Sequence, residues 1–312
     1  MRSRTLILGI VLVLGISFCN RDATASSIRA LETPEPSLGS GVEGGPVSRV
    51  TTTVSAPPYA APKPNPNSPP LLATAIECFN YDTNTATAGI RLVPPDPHGA
   101  AGPDHVVVIG NVTIEWRPKS GIANLPQYQS SLRNFFIGLP APPAGPGTTL
   151  GTNCFDPKVV YDQYAGRFVV VALERTDTPN PTNSRILLGI SKTSDPNGGW
   201  WLHAIDSKIN IAGVDRWADY PGLAVDDKAV YITNNMFAFS AGGSAYGGTR
   251  LWIVRKLEAY AGPNNNISVN VYDPFLDPDA VATTTQPAHM YGPPGLGSGG
   301  RVLGTFLTSF SG

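Results

Sequence analysis

Short apolar runs separated by turn residues fill most of the chain after residue 72. One stretch shows the pattern clearly, because it contains four runs rich in β-branched and aromatic residues. These runs are residues 158–161, 167–173, 185–191 and 200–205. Helical periodicity is nearly absent. The pattern predicts a four-stranded antiparallel sheet in this stretch.

The same pattern returns along the chain. Three segments open with Asp beside Pro and continue into a short strand, and their aspartates Asp96, Asp156 and Asp219 lie 60 and 63 residues apart. A weaker fourth copy begins at Gln286-Pro287. A period of this size, filled with strands and turns, is typical of an array of sheets such as propeller blades.

We therefore predict an all-β fold, a β-propeller of four-stranded antiparallel blades. About three and a half blades are expected, because the fourth copy stops after its second strand. A propeller usually has more blades than this. The expected domain at residues 73–312 is thus the N-terminal part of an incomplete propeller. The alternative architecture is an array of two-sheet β-sandwiches.

The first 25 residues have the features of a signal peptide. Arg2 and Arg4 precede an apolar run at residues 5–18, and Ala23-Thr24-Ala25 supplies a small-residue cleavage site. A lipoprotein signal at Cys19 is the alternative. The Pro-rich residues 26–72 lack periodic apolar positions and are expected to form a disordered linker.

Composition narrows the class of partner. Charged residues make up only 14% of the chain and the formal net charge is −1, which argues against binding of nucleic acid. The apolar run at residues 5–18 is too short for an ordinary membrane helix, so no membrane span is expected after signal cleavage. The expected location is secreted, periplasmic or at the cell surface.

Signal cleavage would leave two cysteines, Cys78 and Cys154. In an oxidising compartment two thiols favour one disulfide, and we predict a bond between them. Two buried free thiols are the alternative.

Residues 193–200, Thr-Ser-Asp-Pro-Asn-Gly-Gly-Trp, resemble the Asp-box hairpin of sialidase-like propellers in a degenerate form. In that hairpin the Asp accepts main-chain hydrogen bonds and the Trp packs between blades, so the resemblance implies a structural role. More broadly, residues 92–310 resemble secreted bacterial β-propeller proteins of poorly defined function. The phrases that carry this resemblance are residues 94–105, 155–162, 194–200 and 219–227. The resemblance implies the fold and secretion, and it implies no reaction.

Propeller topology predicts where polar residues gather. The loop that enters each innermost strand and the loop between the second and third strands open on one face, so their residues should meet at one mouth of the channel. The candidate ligand-binding residues are Asp96, His98, Asp156, Lys158, Glu174, Arg175, Asp219, Tyr220 and Asn234.

Three converging carboxylates suggest chemistry at this mouth. Asp96, Asp156 and Asp219 could hold Ca²⁺, the one cofactor that the sequence suggests, or one of them could have a raised pKa. The alternative is that each Asp only bonds its own turn.

The favoured function is a secreted propeller module that binds an extracellular ligand, namely a glycan, a cell-surface protein or a cation, without turnover. The alternative is a sialidase-like or other carbohydrate-active hydrolase, so whether the protein is an enzyme stays open. No catalytic residue can be assigned from the sequence.

Overall fold

The structure is a computed structural model, and its described residues all lie in the predicted propeller domain. They are residues 77–90, 92–120, 125–139, 154–176, 182–239, 246–262, 267–272, 276–277, 280–281, 283–291 and 307–310. The predicted signal peptide (1–25) and linker (26–72) lie outside this set. No helix in the described part combines the length and apolar character needed to cross a membrane.

The fold is mostly β, and its strands form antiparallel sheets in chain order. The first sheet is β1 (His98–Ala101), β2 (His105–Gly110), β3 (Thr113–Pro118) and β4 (Tyr128–Ser131). The second is β5 (Cys154–Asp162), β6 (Arg167–Thr176), β7 (Asn183–Ser191) and β8 (Trp200–Asp206). The third is β9 (Ile209–Ile211), β10 (Val214–Val225), β11 (Ala229–Ala238), β12 (Tyr246–Arg255) and β13 (Val269–Tyr272).

Two strand pairs and a few short helices complete the described part. The pairs are β14 (Leu276–Asp277) with β15 (Ala280–Val281), and β16 (Thr283–Pro287) with β17 (Leu307–Phe310). The helices are α1 (Tyr81–Ala88), α2 (Leu132–Phe135) and α3 (Lys256–Ala259), with a 3-10 turn at Pro196–Gly198. The predicted strands of the second sheet are confirmed. The third sheet has one strand more than the predicted four, because a two-residue turn folds β9 back onto the start of β10.

The sheets pack face to face, and β6 shows why. Its side chains alternate, since successive residues of a strand point to opposite faces. Phe168, Val170 and Ala172 join the core shared with the first sheet, whereas Val169, Val171 and Leu173 join the core shared with the third. Full burial of each such side chain stabilises the fold by roughly 1.5–3 kcal/mol, so a strand that is apolar on both faces favours a position between two layers.

Left-handed backbone recurs at one residue in or just before a strand of each of the three sheets and of the β16–β17 pair. Asp156, Tyr220 and Thr284 occupy the bulges of β5, β10 and β16, with φ of 48°, 44° and 52°. Asp96, just before β1, has a φ of 41°. These four residues are 60, 64 and 64 residues apart, so the bulge marks the structural repeat.

The positions of the left-handed residues change the alignment of the repeats that was predicted from the sequence. In the third copy Tyr220, and not Asp219, occupies the position of Asp96 and Asp156, because each of these three residues precedes a proline. In the fourth copy the equivalent residue is Thr284, two residues before Gln286-Pro287.

The structure contradicts the predicted disulfide, because Cys78 and Cys154 are both free thiols. They lie in separate environments. The half-buried Cys78 is hydrogen-bonded to Glu115 of the first sheet, and its pKa is raised by burial and by that carboxylate. Cys154 is buried beside Glu174 of the second sheet, and burial raises its pKa to about 12.

Candidate functional site

Several of the residues predicted to meet at one mouth do come together where the first strands begin. We call this group the rim cluster, and it consists of Asp96, His98, Asn111, Asp156, Lys158, Asp219 and Tyr220. Its centre is Asn111, a buried residue directly after β2. The Asn111 side-chain amide donates to Asp96 Oδ2 at 2.9 Å and to Asp156 Oδ1 at 3.4 Å. Asn111 therefore links the bulges of the first and second sheets.

Asp156 continues this link towards the third sheet. Its Oδ2 accepts a hydrogen bond from the Tyr220 main-chain N–H at 3.2 Å, and its carboxyl group is also hydrogen-bonded to that of Asp219. Burial is the main cause of a raised Asp156 pKa, and the hydrogen bonds from Asn111 and Asp219 oppose it only in part. Two carboxyl groups in hydrogen-bond contact share a proton, because two adjacent carboxylates would repel each other.

In the second sheet, the third sheet and the β16–β17 pair, the main-chain N–H of the left-handed residue donates to a side chain of the preceding sheet. The N–H of Asp156 donates to Asn111 Oδ1 at 2.7 Å, and the N–H of Thr284 donates to Asn235 Oδ1 at 3.0 Å. Register alignment shows that Asn111 and Asn235 hold equivalent positions, and that the second sheet has Leu173 there. A leucine cannot accept a hydrogen bond, so the Asp156 carboxylate takes that role towards Tyr220.

The accessible part of the rim cluster is aromatic and basic. The Tyr220 side chain is 40% exposed, and the Lys158 ammonium lies 5.3 Å from the centre of its ring. His98 Nδ1 accepts the Val159 N–H at 3.3 Å, so the neutral imidazole carries its proton on Nε2. Burial, followed by the Lys158 charge, lowers the His98 pKa. A neutral His98 can therefore donate through Nε2 beside Lys158.

Three other predicted residues have different surroundings. The buried Glu174 pairs with the buried Arg185, so it belongs to an internal ion pair. Arg175 stacks over the ring of Trp217 at 3.8 Å. Asn234 is 1% exposed, and its side-chain amide donates to the Asp219 main-chain oxygen at 3.2 Å. Its Oδ1 is buried and has no hydrogen-bond partner among the described residues. Glu174 is thus separated from the rim cluster, whereas Asn234 supports it.

The predicted metal site at Asp96, Asp156 and Asp219 has no support in this geometry. Within the described residues, no group of three or more His, Cys, Asp or Glu side chains is arranged to hold a metal ion. The Asn111 amide stands between Asp96 and Asp156, and the oxygens of Asp156 already accept hydrogen bonds. Both carboxylate oxygens of Asp156 are therefore used in linking the sheets.

The turn at residues 193–200 has the structural role that its sequence implies. Asp195 Oδ1 accepts the Asn197 N–H at 2.9 Å, and Gly199 has a φ of 91°. Trp200 of the second sheet packs edge-on against Phe135 of α2 at 5.1 Å and near Trp116 of β3. The turn therefore holds a tryptophan between two sheets, and membership of the Asp-box class stays a prediction.

A second group of polar residues, which the sequence interpretation missed, lies where β5 turns into β6. Asp162 Oδ1 caps this turn by accepting the N–H groups of Tyr164 and Ala165, at 3.0 and 3.2 Å. Its Oδ2 accepts the Tyr260 hydroxyl at 2.7 Å and the Lys256 ammonium at 2.5 Å. Burial beside this carboxylate raises the Tyr260 pKa well above its usual range.

A pocket of about 380 Å³ opens above this group. Its walls come from the β5–β6 turn, the β10–β11 turn and the helix α3. The lining residues include Tyr164, Arg167, Asp227, Lys256, Leu257 and Tyr260. The sequence contained one signal for it, namely the aspartates Asp162 and Asp226 at the ends of β5 and β10. The position of α3 against the neighbouring sheet had no sequence signal.

Comparison with known proteins identifies no family. No protein-family model matches the chain, and no curated protein matches it. Among solved structures, the chain has a distant resemblance to the crystal structure of a xylan β-1,4-xylosidase from Bacillus halodurans C-125. The two are 13% identical with a TM-score of 0.35, and the match covers 64% of this chain and 35% of the xylosidase chain. A resemblance this weak carries no argument about function.

Proposed function

We propose that this chain is part of a secreted β-propeller, with residues 1–25 as its signal peptide and residues 26–72 as its linker. The propeller arrangement is supported by the order of the sheets, each of which packs on the next. It is also supported by the approach of β1 to β5, of β5 to β10 and of β10 to β16, which places one strand from each of the successive sheets side by side. A two-sheet sandwich would not place one sheet between two others, as the cores on both faces of β6 require.

We further propose that the module binds an extracellular glycan at the rim cluster without turnover. The observation that carries this proposal is Tyr220, a 40% exposed ring held in a left-handed backbone by the Asp156 carboxylate. Sugar recognition combines an apolar ring face with fixed polar groups. Lys158 and the His98 imidazole supply donors beside the ring, and the half-buried Asp96 and Asp219 supply acceptors.

The carboxyl groups of the rim cluster fit binding better than hydrolysis. In glycosidases the two working carboxyl groups stand about 5–5.5 Å apart in retaining enzymes and about 6.5–9.5 Å apart in inverting enzymes. Asp156 and Asp219 are in hydrogen-bond contact, which is closer than either separation. No room is left between them for a glycosidic carbon or for water.

The test is glycan binding by the full chain. We expect the wild-type protein to retain specific oligosaccharides on a printed array of microbial, plant and animal glycans. In titration calorimetry with the best oligosaccharide, Tyr220→Ala should weaken binding by about tenfold, because one aromatic contact contributes about 1–1.5 kcal/mol. The matched control is Tyr272→Ala, which removes a 48% exposed ring on β13 and should leave the affinity unchanged.

Three outcomes would contradict the proposal. One is the absence of any glycan signal from folded wild-type protein, and another is equal loss of affinity in Tyr220→Ala and Tyr272→Ala. The third is release of shortened oligosaccharides during incubation, which would favour a hydrolase.

A further inference from the structure

The pocket between the second and third sheets is lined by the guanidinium of Arg167. Among the residues that the structure describes, no Asp or Glu pairs with the half-buried Arg167. Its Nη1 donates to the main-chain oxygens of Ser191 and Tyr260, both at 3.4 Å, near the limit of a hydrogen bond. Nε and Nη2 make no hydrogen bond to the described protein, so the guanidinium retains donors for a carboxylate.

An anion, Asp227, also lines the pocket. Asp227, in the turn between β10 and β11, is half-buried and makes no hydrogen bond or ion pair with a described residue. The two groups do not neutralise each other, because no contact within the 4.0 Å limit of an ion pair joins Arg167 to Asp227. Asp227 therefore retains acceptors for an ammonium group.

The base of the pocket is preorganised. The Lys256 ammonium is held by Asp162 and by the main-chain oxygen of Asp226 at 2.8 Å, and it lies 5.4 Å and 5.2 Å from the ring centres of Tyr164 and Tyr260. Lys256 and Asp162 thus neutralise each other below the pocket. Beside them Leu257, which is 76% exposed, offers an apolar surface.

We propose that this pocket binds a zwitterionic α-amino acid with an apolar side chain. The carboxylate would bind the Arg167 guanidinium, the ammonium would bind Asp227, and the side chain would contact Leu257 and Tyr164. A volume of about 380 Å³ accommodates one such molecule. This site is separate from the rim cluster and does not depend on its function.

The opposite charges of Arg167 and Asp227 favour a zwitterion over a simple carboxylic acid or a simple amine. A simple carboxylic acid would leave Asp227 unpaired beside a second negative charge, and a simple amine would leave Arg167 unpaired. A zwitterion neutralises both in one step, and unpaired charges that become partly desolvated are costly.

The experiment measures how leucine and two of its derivatives bind to the full-length protein. We expect L-leucine to bind in titration calorimetry and to give saturation-transfer NMR signals. N-acetyl-L-leucine lacks the ammonium and L-leucinamide lacks the carboxylate, so each should bind more weakly by about tenfold or more. Arg167→Gln should lose leucine affinity by a similar factor, and Asp227→Asn likewise.

Matched variants separate the pocket from general effects. Lys119→Gln and Asp206→Asn each neutralise an exposed charge elsewhere and should bind leucine like the wild type. Arg167→Lys keeps the charge but loses the planar fork, so it should bind between the wild type and Arg167→Gln.

Several results would overturn the proposal. Wild-type protein that binds no leucine would do so, as would equal affinity for leucine, its acetylated form and its amide. Binding of leucine that survives both Arg167→Gln and Asp227→Asn would place the ligand elsewhere. Tyr220→Ala should leave leucine binding intact, so failure here and failure at the rim cluster are distinguishable.

Discussion

Four residues with left-handed backbone lie in or just before β1, β5, β10 and β16, and only their surroundings make that conformation stable. An L-residue in this region costs roughly 1–2 kcal/mol. The cost is offset where the N–H of the bulge donates to a side chain of the preceding sheet, as in the bonds to Asn111, Asp156 and Asn235. The rim cluster therefore combines a structural role with an accessible ring at Tyr220.

At the residue scale, Asp156 should make stability depend on pH. Burial raises its folded pKa above the unfolded value of about 3.9, so its stabilising contribution is complete below that value and is lost as pH rises through the folded pKa. Asp156→Asn removes the titrating group and keeps a hydrogen-bonding side chain. The free energy of unfolding of the variant, relative to wild type, should therefore increase from pH 4 to pH 8 in urea titrations.

The charged neighbours of Asp156 give this prediction a control. Lys158 lowers the Asp156 pKa and Asp219 shares its hydrogen bond, so Asp219→Asn should change the pH dependence as well. Asp206→Asn, on an exposed residue, should not. A constant difference between Asp156→Asn and wild type over the whole pH range would contradict a raised pKa.

At the scale of elements, the turn between β9 and β10 is a two-residue hairpin. Ile211 pairs with Val214, and the two residues between them, Ala212 and Gly213, have φ of 53° and 83°. Two positive φ values define a type I′ turn, which matches the twist of the strands and prefers Asn-Gly. Of the two turn residues, Ala212 is therefore the one for which a positive φ is unfavourable.

We expect Ala212→Asn to stabilise the protein by about 0.5–1 kcal/mol, because asparagine tolerates the left-handed region better than alanine. Ala212 is exposed, so the substitution changes no packing. Ala212→Val should have the opposite effect, because a branched Cβ is least tolerated there. Chemical denaturation of the wild type, Ala212→Asn and Ala212→Val tests the predicted order of stability. A stabilised Ala212→Val variant would show that the turn has another conformation.

At the scale of the whole molecule, small residues set how closely the sheets approach. Gly102, in the turn between β1 and β2, faces the second sheet. A Cβ placed there would lie 2.7 Å from Phe168 Cζ and 2.8 Å from Tyr161 Cε2. Both rings belong to the packed interface between the two sheets, where Phe168 is fully buried. The spacing of the first two sheets therefore depends on the absence of one side chain.

Gly102→Ala should lower the free energy of unfolding by about 1–3 kcal/mol, the usual cost of overpacking. The matched control is Gly138→Ala, where an added Cβ meets no atom within 4 Å. That variant should be neutral or slightly stabilised, since alanine reduces the entropy of the unfolded chain. Equal stability of the two variants in thermal unfolding would mean that the sheets can separate at Gly102 without cost.

Strand positions were predictable because they depend on local pattern. The β-branched run at residues 167–173 lies within β6, and the turn at residues 162–166 lies between β5 and β6. Glycines and an Asx turn at Asp162 encode that hairpin within a few residues. The proximity of Asp96 and Asp156 also followed from the repeat, since these two residues hold equivalent positions in neighbouring sheets.

Side-chain partners were not predictable in the same way, because they depend on residues far apart in the chain. Nothing local distinguishes Glu174, which pairs with Arg185, from a residue at the rim. Asn111 sits between two aspartates only because the second sheet packs on the first. The pairing of the two cysteines was wrong for the same reason, since their separation depends on which sheet each one joins.

The sequence by itself determined the β class, the repeat and the turns, because alternation, proline and glycine act through the nearest few residues. Only the tertiary structure decided that Tyr220, and not Asp219, is the third member of the repeat, since the left-handed bulge appears only when strands pair. It also decided that Arg167 and Asp227 share a pocket. Their charges lie 60 residues apart in the chain, and the packing of the third sheet against the second places both in the lining of one pocket.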